Sequence, residues 1–129
     1  MKTVLITGGT RGLGLAIAHK FASNNYNLIL NYVSNDDIAN KVKAEIINKY
    51  GVEVLLIKAD VSLEEDVKRM YFESINKFSF VNCVVNNAGI AIDTTLEDKT
   101  VENFKRILDV NLIGPFLISK YFGKNMVDN

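Results

Sequence analysis

The stretch Val4-Leu5-Ile6-Thr7-Gly8-Gly9-Thr10-Arg11-Gly12-Leu13-Gly14 decides the fold. Its opening apolar run predicts a buried strand, and Leu13, Ala16, Ile17 and Phe21 at helical spacing predict the inner face of a helix that starts near Gly12. Four of the chain's eight glycines therefore lie in a strand-to-helix turn. Glycine suits such a turn when a diphosphate must approach the backbone, because no Cβ intervenes and the helix N-terminus offers free N–H groups and a positive dipole end. This points to a dinucleotide site; a tight turn that is glycine-rich for backbone reasons alone is the competing reading.

Outward from that turn the chain alternates strand and helix four times, with no linker, low-complexity tract or internal repeat. Such alternation predicts a parallel sheet with crossover helices. The strands fall at 3–6, 27–32, 53–59 and 80–86, each a nearly continuous apolar run, so both faces of the sheet should be covered. Helices are predicted over 12–23 and 36–49, the latter started by Ser34 with Asp37, turning Ile38, Val42 and Ile46 to one face, and ended by Gly51. The third opens with Ser62-Leu63-Glu64-Glu65, a capping box, and should bury Leu63, Val67, Met70, Tyr71, Ile75 and Phe78. The last spans 100–126 with Pro115 inside it. Right-handed crossovers give the strand order three, two, one, four. A crevice then opens between the first and fourth strands, where the loops 8–14 and 86–89 both emerge.

At 129 residues and 48% hydrophobic content the chain is one domain of ordinary globular composition. Fifteen basic and fifteen acidic side chains cancel, which removes the electrostatic case for nucleic acid or an anionic membrane as partner. The N-terminus enters a strand after a single Lys2 and shows no signal-peptide pattern, nor is any apolar run of membrane-spanning length, so a cytoplasmic location is expected. Cys83 has no partner for an internal disulfide and reads as an inert core thiol. His19 stands alone on a helix, as a surface residue, and no metal is expected.

The spacing Thr-Gly-x-x-x-Gly-x-Gly over Thr7–Gly14 resembles that of the short-chain dehydrogenase/reductase family. Three further matches follow in order: Asp60-Val61 after the third strand, Asn86-Asn87-Ala88-Gly89 after the fourth, and Asn111 in the next helix. The segment 28–60 is most similar to bacterial beta-ketoacyl-carrier-protein reductases, the 3-oxoacyl-[acyl-carrier-protein] reductases of fatty acid biosynthesis. The resemblance implies an α/β, Rossmann-like doubly wound sheet, of which 1–129 is the dinucleotide-binding portion, truncated before the later strands. It implies reduction of a carbonyl on a small-molecule or acyl-carrier-bound substrate. It places the catalytic Ser and Tyr-x-x-x-Lys beyond Asn129. Ser119, Tyr121 and Lys124 do not replace them, since Tyr and Lys here are three apart and not four. The alternative is a non-catalytic nucleotide-binding or interaction fragment.

By the same resemblance the cofactor meets Gly8, Thr10, Arg11, Gly12, Leu13 and Gly14 in the first loop, and Tyr32 and Ser34 after the second strand. Asp60 and Val61 hold the adenine; Asn87, Ala88 and Gly89 line the cofactor, with Asn87 nearest the ribose. Asn111 is the one catalytic residue carried over, holding a relay water at a helix kink. From the residues themselves, Pro115 lacks the N–H that would bond the Asn111 carbonyl, which predicts the kink; a bend that only wraps the helix around the core is the plainer account. No carboxylate stands in Asn31-Tyr32-Val33-Ser34 to repel a 2′-phosphate, and Arg11 can pair with one, so NADP is favoured over NAD. Asp36 opposes this only if its loop folds back, and Arg11 also reads as a solvated surface cation. Finally, an open fourth-strand edge and a last helix apolar on nearly every side predict a homo-oligomer.

Overall fold

A computed structural model describes residues 1–129. Its elements run β1 (Thr3–Ile6), α1 (Gly12–Ser23), β2 (Asn27–Tyr32), α2 (Asp36–Tyr50), β3 (Val54–Lys58), α3 (Glu64–Phe78) and β4 (Cys83–Val85). Then follow α4 (Val101–Leu108), a π-helical turn (Asp109–Ile113) and α5 (Gly114–Asp128). The strands form one parallel sheet in the order β3-β2-β1-β4, as expected, with Val4 opposite both Leu28 and Cys83.

Alternate residues of each strand feed opposite cores, which is why the strands read as continuous apolar runs. Leu5, Ile29 and Ile57 pack with Val67 and Met70 of α3 and with Leu117, Ile118 and Phe122 of α5. On the other face Val4, Ile6, Leu28 and Leu30 pack with Ala18 and Ala22 of α1 and Val42 and Ile46 of α2. Each fully buried Leu or Ile of these strands contributes about 1.5–3 kcal/mol.

Several local expectations are corrected. The inner face of α1 is Gly14, Ala18 and Ala22, while Leu13 is 71% exposed, Ala16 is exposed, and Ile17 and Phe21 are half-buried. At Gly14 no side chain has room, since a Cβ there would meet Gly8 O, and Ala18 and Ala22 are buried on the same face. α2 is capped by Asn35 at φ +70°, whose Oδ1 accepts the Ile38 N–H at 3.1 Å, and not by Ser34 with Asp37; Ile38 itself is 38% exposed and not part of the core. The capping box does not form either. The Ser62 hydroxyl donates to Asp60 Oδ1 at 2.6 Å, which leaves Leu63 at the α3 N-cap, exposed, without a side-chain cap.

β4 begins at Cys83 and not at residue 80, since the side chain of Asn82 takes over the pairing: its Oδ1 accepts the Thr3 N–H at 2.9 Å while its own N–H donates to Thr3 O. Cys83 is half-buried on this edge strand and not enclosed in the core. His19 is more than a surface residue; its Nδ1 lies 2.9 Å from the Tyr50 hydroxyl and joins α1 to α2. The long last helix is divided in two. Gly114 donates to Asp109 O, five residues back, so the helix widens ahead of Pro115, which enters the first turn of α5 where its missing N–H costs little.

Candidate functional site

The four strand ends are tied together by side-chain amides. Asn31, 1% exposed at the end of β2, accepts the Gly8 N–H at 3.2 Å through Oδ1 and donates through Nδ2 to Ala59 O (3.0 Å) and Ile57 O (3.3 Å). Asn87, beyond β4, donates through Nδ2 to Thr7 O (3.0 Å) and Gly8 O (3.1 Å). In return Thr7 Oγ1 accepts the N–H groups of Asn87 (3.0 Å) and Ala88 (2.9 Å). These bonds hold the first loop in a shape that two glycines at positive φ, Gly8 (+61°) and Gly12 (+58°), make accessible.

Between the loops lies a cleft of about 420 Å³, large enough for a nucleotide-sized ligand. Gly8, Thr10 and Arg11 form one wall; Asn31, Tyr32, Val33 and Ser34 close one end. Asp60 and Val61, the run 87–90, and Arg106 with Val110 complete it. Of the residues expected from sequence, Gly8, Thr10, Arg11, Tyr32, Ser34, Asp60, Val61, Asn87, Ala88 and Gly89 meet here. Gly12, Leu13 and Gly14 stand outside the lining, the first two at the exposed start of α1 and Gly14 buried behind the loop.

The groove fits a phosphate-bearing ligand on two counts. A Cβ on Gly8 would sit 3.2 Å from Ala88 Cα, so the loops already approach as closely as backbone allows. In addition α1 opens with neither a capping side chain nor an acidic residue in its first turn, unlike α2 with Asp36 and Asp37 or α3 with Glu64, Glu65 and Asp66. An uncompensated positive dipole end suits an anion.

Burial on its own would raise the Asp60 pKa. Hydrogen bonds from the Ser62 hydroxyl and N–H and from the Arg106 guanidinium outweigh it and hold the carboxyl below its ordinary range. At the other end the Tyr32 hydroxyl donates to Asp36 Oδ1 at 3.0 Å, and Lys58 Nζ stands 3.5 Å from the same oxygen. Partial burial, then this carboxylate, push the Tyr32 hydroxyl pKa up. Asp36 is thus engaged by Tyr32 and Lys58 and is not in the cleft lining.

Asn111 also stands outside the lining, but its side chain clamps a lining residue: Oδ1 accepts the Ile90 N–H at 2.8 Å and Nδ2 donates to Ile90 O at 2.9 Å. Asn86 departs from expectation, being exposed and turned to a groove beside β4, away from the cleft. Ser119 borders that same groove, the Tyr121 hydroxyl donates to Glu64 Oε2 at 2.8 Å, and Lys124 pairs with Asp128 at 2.8 Å. None of the three reaches the cleft.

Sequence reasoning missed Asn31, Val33, Ile90, Arg106 and Val110 as lining residues. Asn31 did leave a signal, a lone amide inside an apolar strand, which must find partners when buried. Arg106 left none, since it meets Asp60 across 46 residues of chain.

Known proteins place this architecture. A 3-oxoacyl-[acyl-carrier-protein] reductase of Synechocystis is 35% identical over 98% of the chain and 51% of its own length. Glucose 1-dehydrogenase 2 of Bacillus subtilis is 32% identical over 99% of the chain and 50% of its own length. Among solved structures, an alcohol dehydrogenase from the archaeon Thermococcus sibiricus, complexed with 5-hydroxy-NADP, superposes with a TM-score of 0.92 at 35% identity, over 98% of this chain and 53% of that one. The chain thus spans about half the length of the relatives it matches. With residues 2–129 matching the short chain dehydrogenase family, the glycine turn, the sheet order and the converging loops have one reading: the chain belongs to the short-chain dehydrogenase/reductase family.

Proposed function

We propose that residues 1–129 are the dinucleotide-binding portion of an NADP-dependent carbonyl reductase of the 3-oxoacyl-[acyl-carrier-protein] reductase type, acting in the cytoplasm in fatty acid biosynthesis. The observation that carries the cofactor choice is the end of the cleft after β2: Arg11, Tyr32 and Ser34 line it, and the nearest acid of that loop, Asp36, is engaged by Tyr32 and Lys58. A 2′-phosphate there gains a guanidinium and meets no carboxylate among Asn31, Tyr32, Val33 and Ser34.

Bound NADPH supplies the hydride. The chain's own residues would bind and orient it: the N-terminus of α1 at Gly12, Leu13 and Gly14, behind the lining residues Thr10 and Arg11, would turn its dipole toward the diphosphate. Asp60 would accept from the adenine amine, and Thr10, Val61, Ala88 and Gly89 would shape the walls. Asn87 borders the ribose while holding the first loop, and Asn111 fixes Ile90. The proton donor in this reading comes from outside residues 1–129, consistent with relatives of twice the length. A non-catalytic nucleotide-binding role is favoured by one observation, that no paired Tyr and Lys line the cleft.

Fluorescence titration of the chain should find NADPH bound roughly tenfold more tightly than NADH, the worth of one charge-assisted contact, with Arg11→Ala removing the difference. Equal affinities in the unaltered chain would refute the NADP assignment.

The same reading includes self-association. Phe104, Leu108, Leu112 and Phe116 recur every four residues across α4, the π-helical turn and α5, and all four are exposed, the last two at 61%. An apolar stripe of this kind and the open edge of β4 favour a homo-oligomer. Light scattering at low micromolar concentration should give at least a dimer; a stable monomer counts against it.

A further inference from the structure

Arg106 reaches from α4 across the cleft to the loop after β3 and engages two groups there at once. Its Nη2 donates to Asp60 Oδ2 at 3.1 Å and its Nη1 to Ser62 Oγ at 2.9 Å. Ser62 completes the triangle, donating its hydroxyl (2.6 Å) and its N–H (2.9 Å) to Asp60 Oδ1. From behind, the Asp60 N–H donates to Asp66 Oδ2 at 2.8 Å and fixes the backbone.

An ionised carboxylate offers about four acceptor sites and no donor. Both sites on Asp60 Oδ1 are taken by Ser62, and one on Oδ2 is taken by Arg106. One site is left, on Oδ2, next to Arg106 and facing a cleft that both residues line. A ligand edge presented to it must bring a single N–H donor.

We infer that Arg106 is the positioning residue for base recognition: by holding Asp60 Oδ2 in this fork it makes the cleft select a purine with an exocyclic amine over one with a carbonyl there. The inference rests on the dinucleotide reading above and deepens it. Without the guanidinium, Oδ2 has two open sites, α4 no longer closes on Asp60, and water competes for the oxygen that the amine needs. Lysine keeps the charge but cannot present two donors in a planar fork.

The test compares NADPH with its deamino analogue, in which hypoxanthine replaces adenine, by fluorescence titration of the full chain and of Arg106→Leu and Arg106→Lys. Both ligands carry the same phosphates, so general attraction to a cation cancels in the ratio of affinities. The unaltered chain should prefer the adenine form roughly tenfold, Arg106→Leu should bring the ratio near one, and Arg106→Lys should recover only part of it. Circular dichroism on each variant separates loss of selectivity from loss of fold. A preference that persists undiminished in both folded variants overturns the inference and leaves the dinucleotide reading standing. Failure of the unaltered chain to bind either ligand overturns both.

Discussion

Gly14→Ala should destabilise the chain by about 3 kcal/mol or more and, on the function proposed above, abolish dinucleotide binding, because the added methyl lands on backbone that cannot retreat. A Cβ at Gly14 overlaps Gly8 O outright and comes within 2.6 Å of Asn87 Nδ2. Gly8 has nowhere to go: its N–H is held by Asn31, its carbonyl by Asn87, and its own missing Cβ would already meet Ala88. Gly12→Ala is the internal control. Nothing lies within 4 Å of a Cβ there, so only the positive φ penalises alanine, at about 1–2 kcal/mol. Urea unfolding of both variants reads the contrast, and equal midpoints would mean that α1 can slide away from the sheet.

The second large effect is expected at Asn31. Asn31→Leu keeps the size of the side chain and removes three hydrogen bonds; the Gly8 N–H and the Ala59 carbonyl lose the amide, whereas Ile57 O keeps its place in the β2–β3 ladder. Each orphaned buried group costs about 1–3 kcal/mol, so a loss of about 3 kcal/mol is expected once partial rehydration of Gly8 is allowed. Chemical denaturation gives the number. A near-neutral result would show that the first loop keeps its shape without the amide, and that the tie between β1, β2 and β3 is made by the ladder alone.

What could be read from the sequence and what could not divide along a physical line. Strand order and the two-sided core follow from continuous apolar runs, which carry the same meaning wherever they occur. Loop residues next to those strands were legible too, since Gly8, Asp60 and Asn87 reach the cleft merely by following β1, β3 and β4. Misreadings arose where a polar side chain had two possible partners. Ser62 is placed for a capping box, yet Asp60 two residues earlier takes its hydroxyl; Asn82 sits in a strand pattern, yet its amide replaces the ladder. The inner face of α1 was shifted by one because Gly14, Ala18 and Ala22 carry almost no hydrophobic signal, although closeness to Gly8 O is what selects the first of them. Arg106 was beyond reach, as its role depends on a contact that only the completed fold creates.

The π-helical turn at Asp109–Ile113 works as a change of phase between α4 and α5. One residue more than an ordinary turn sets every later residue back by about 100° around the helix axis, relative to an unbroken helix. That offset lets α4 keep no buried residue while α5 sends Leu117, Ile118 and Phe122 into the core. Deleting a single residue inside the turn would restore the regular winding and leave Phe122 facing the core, because the wide turn already absorbs that residue. The same loss within α5, after Leu117 and Ile118, would instead rotate Phe122 away from them by about 100°. The turn is therefore slack in the count: this stretch tolerates a lost position where the regular helix beyond it does not.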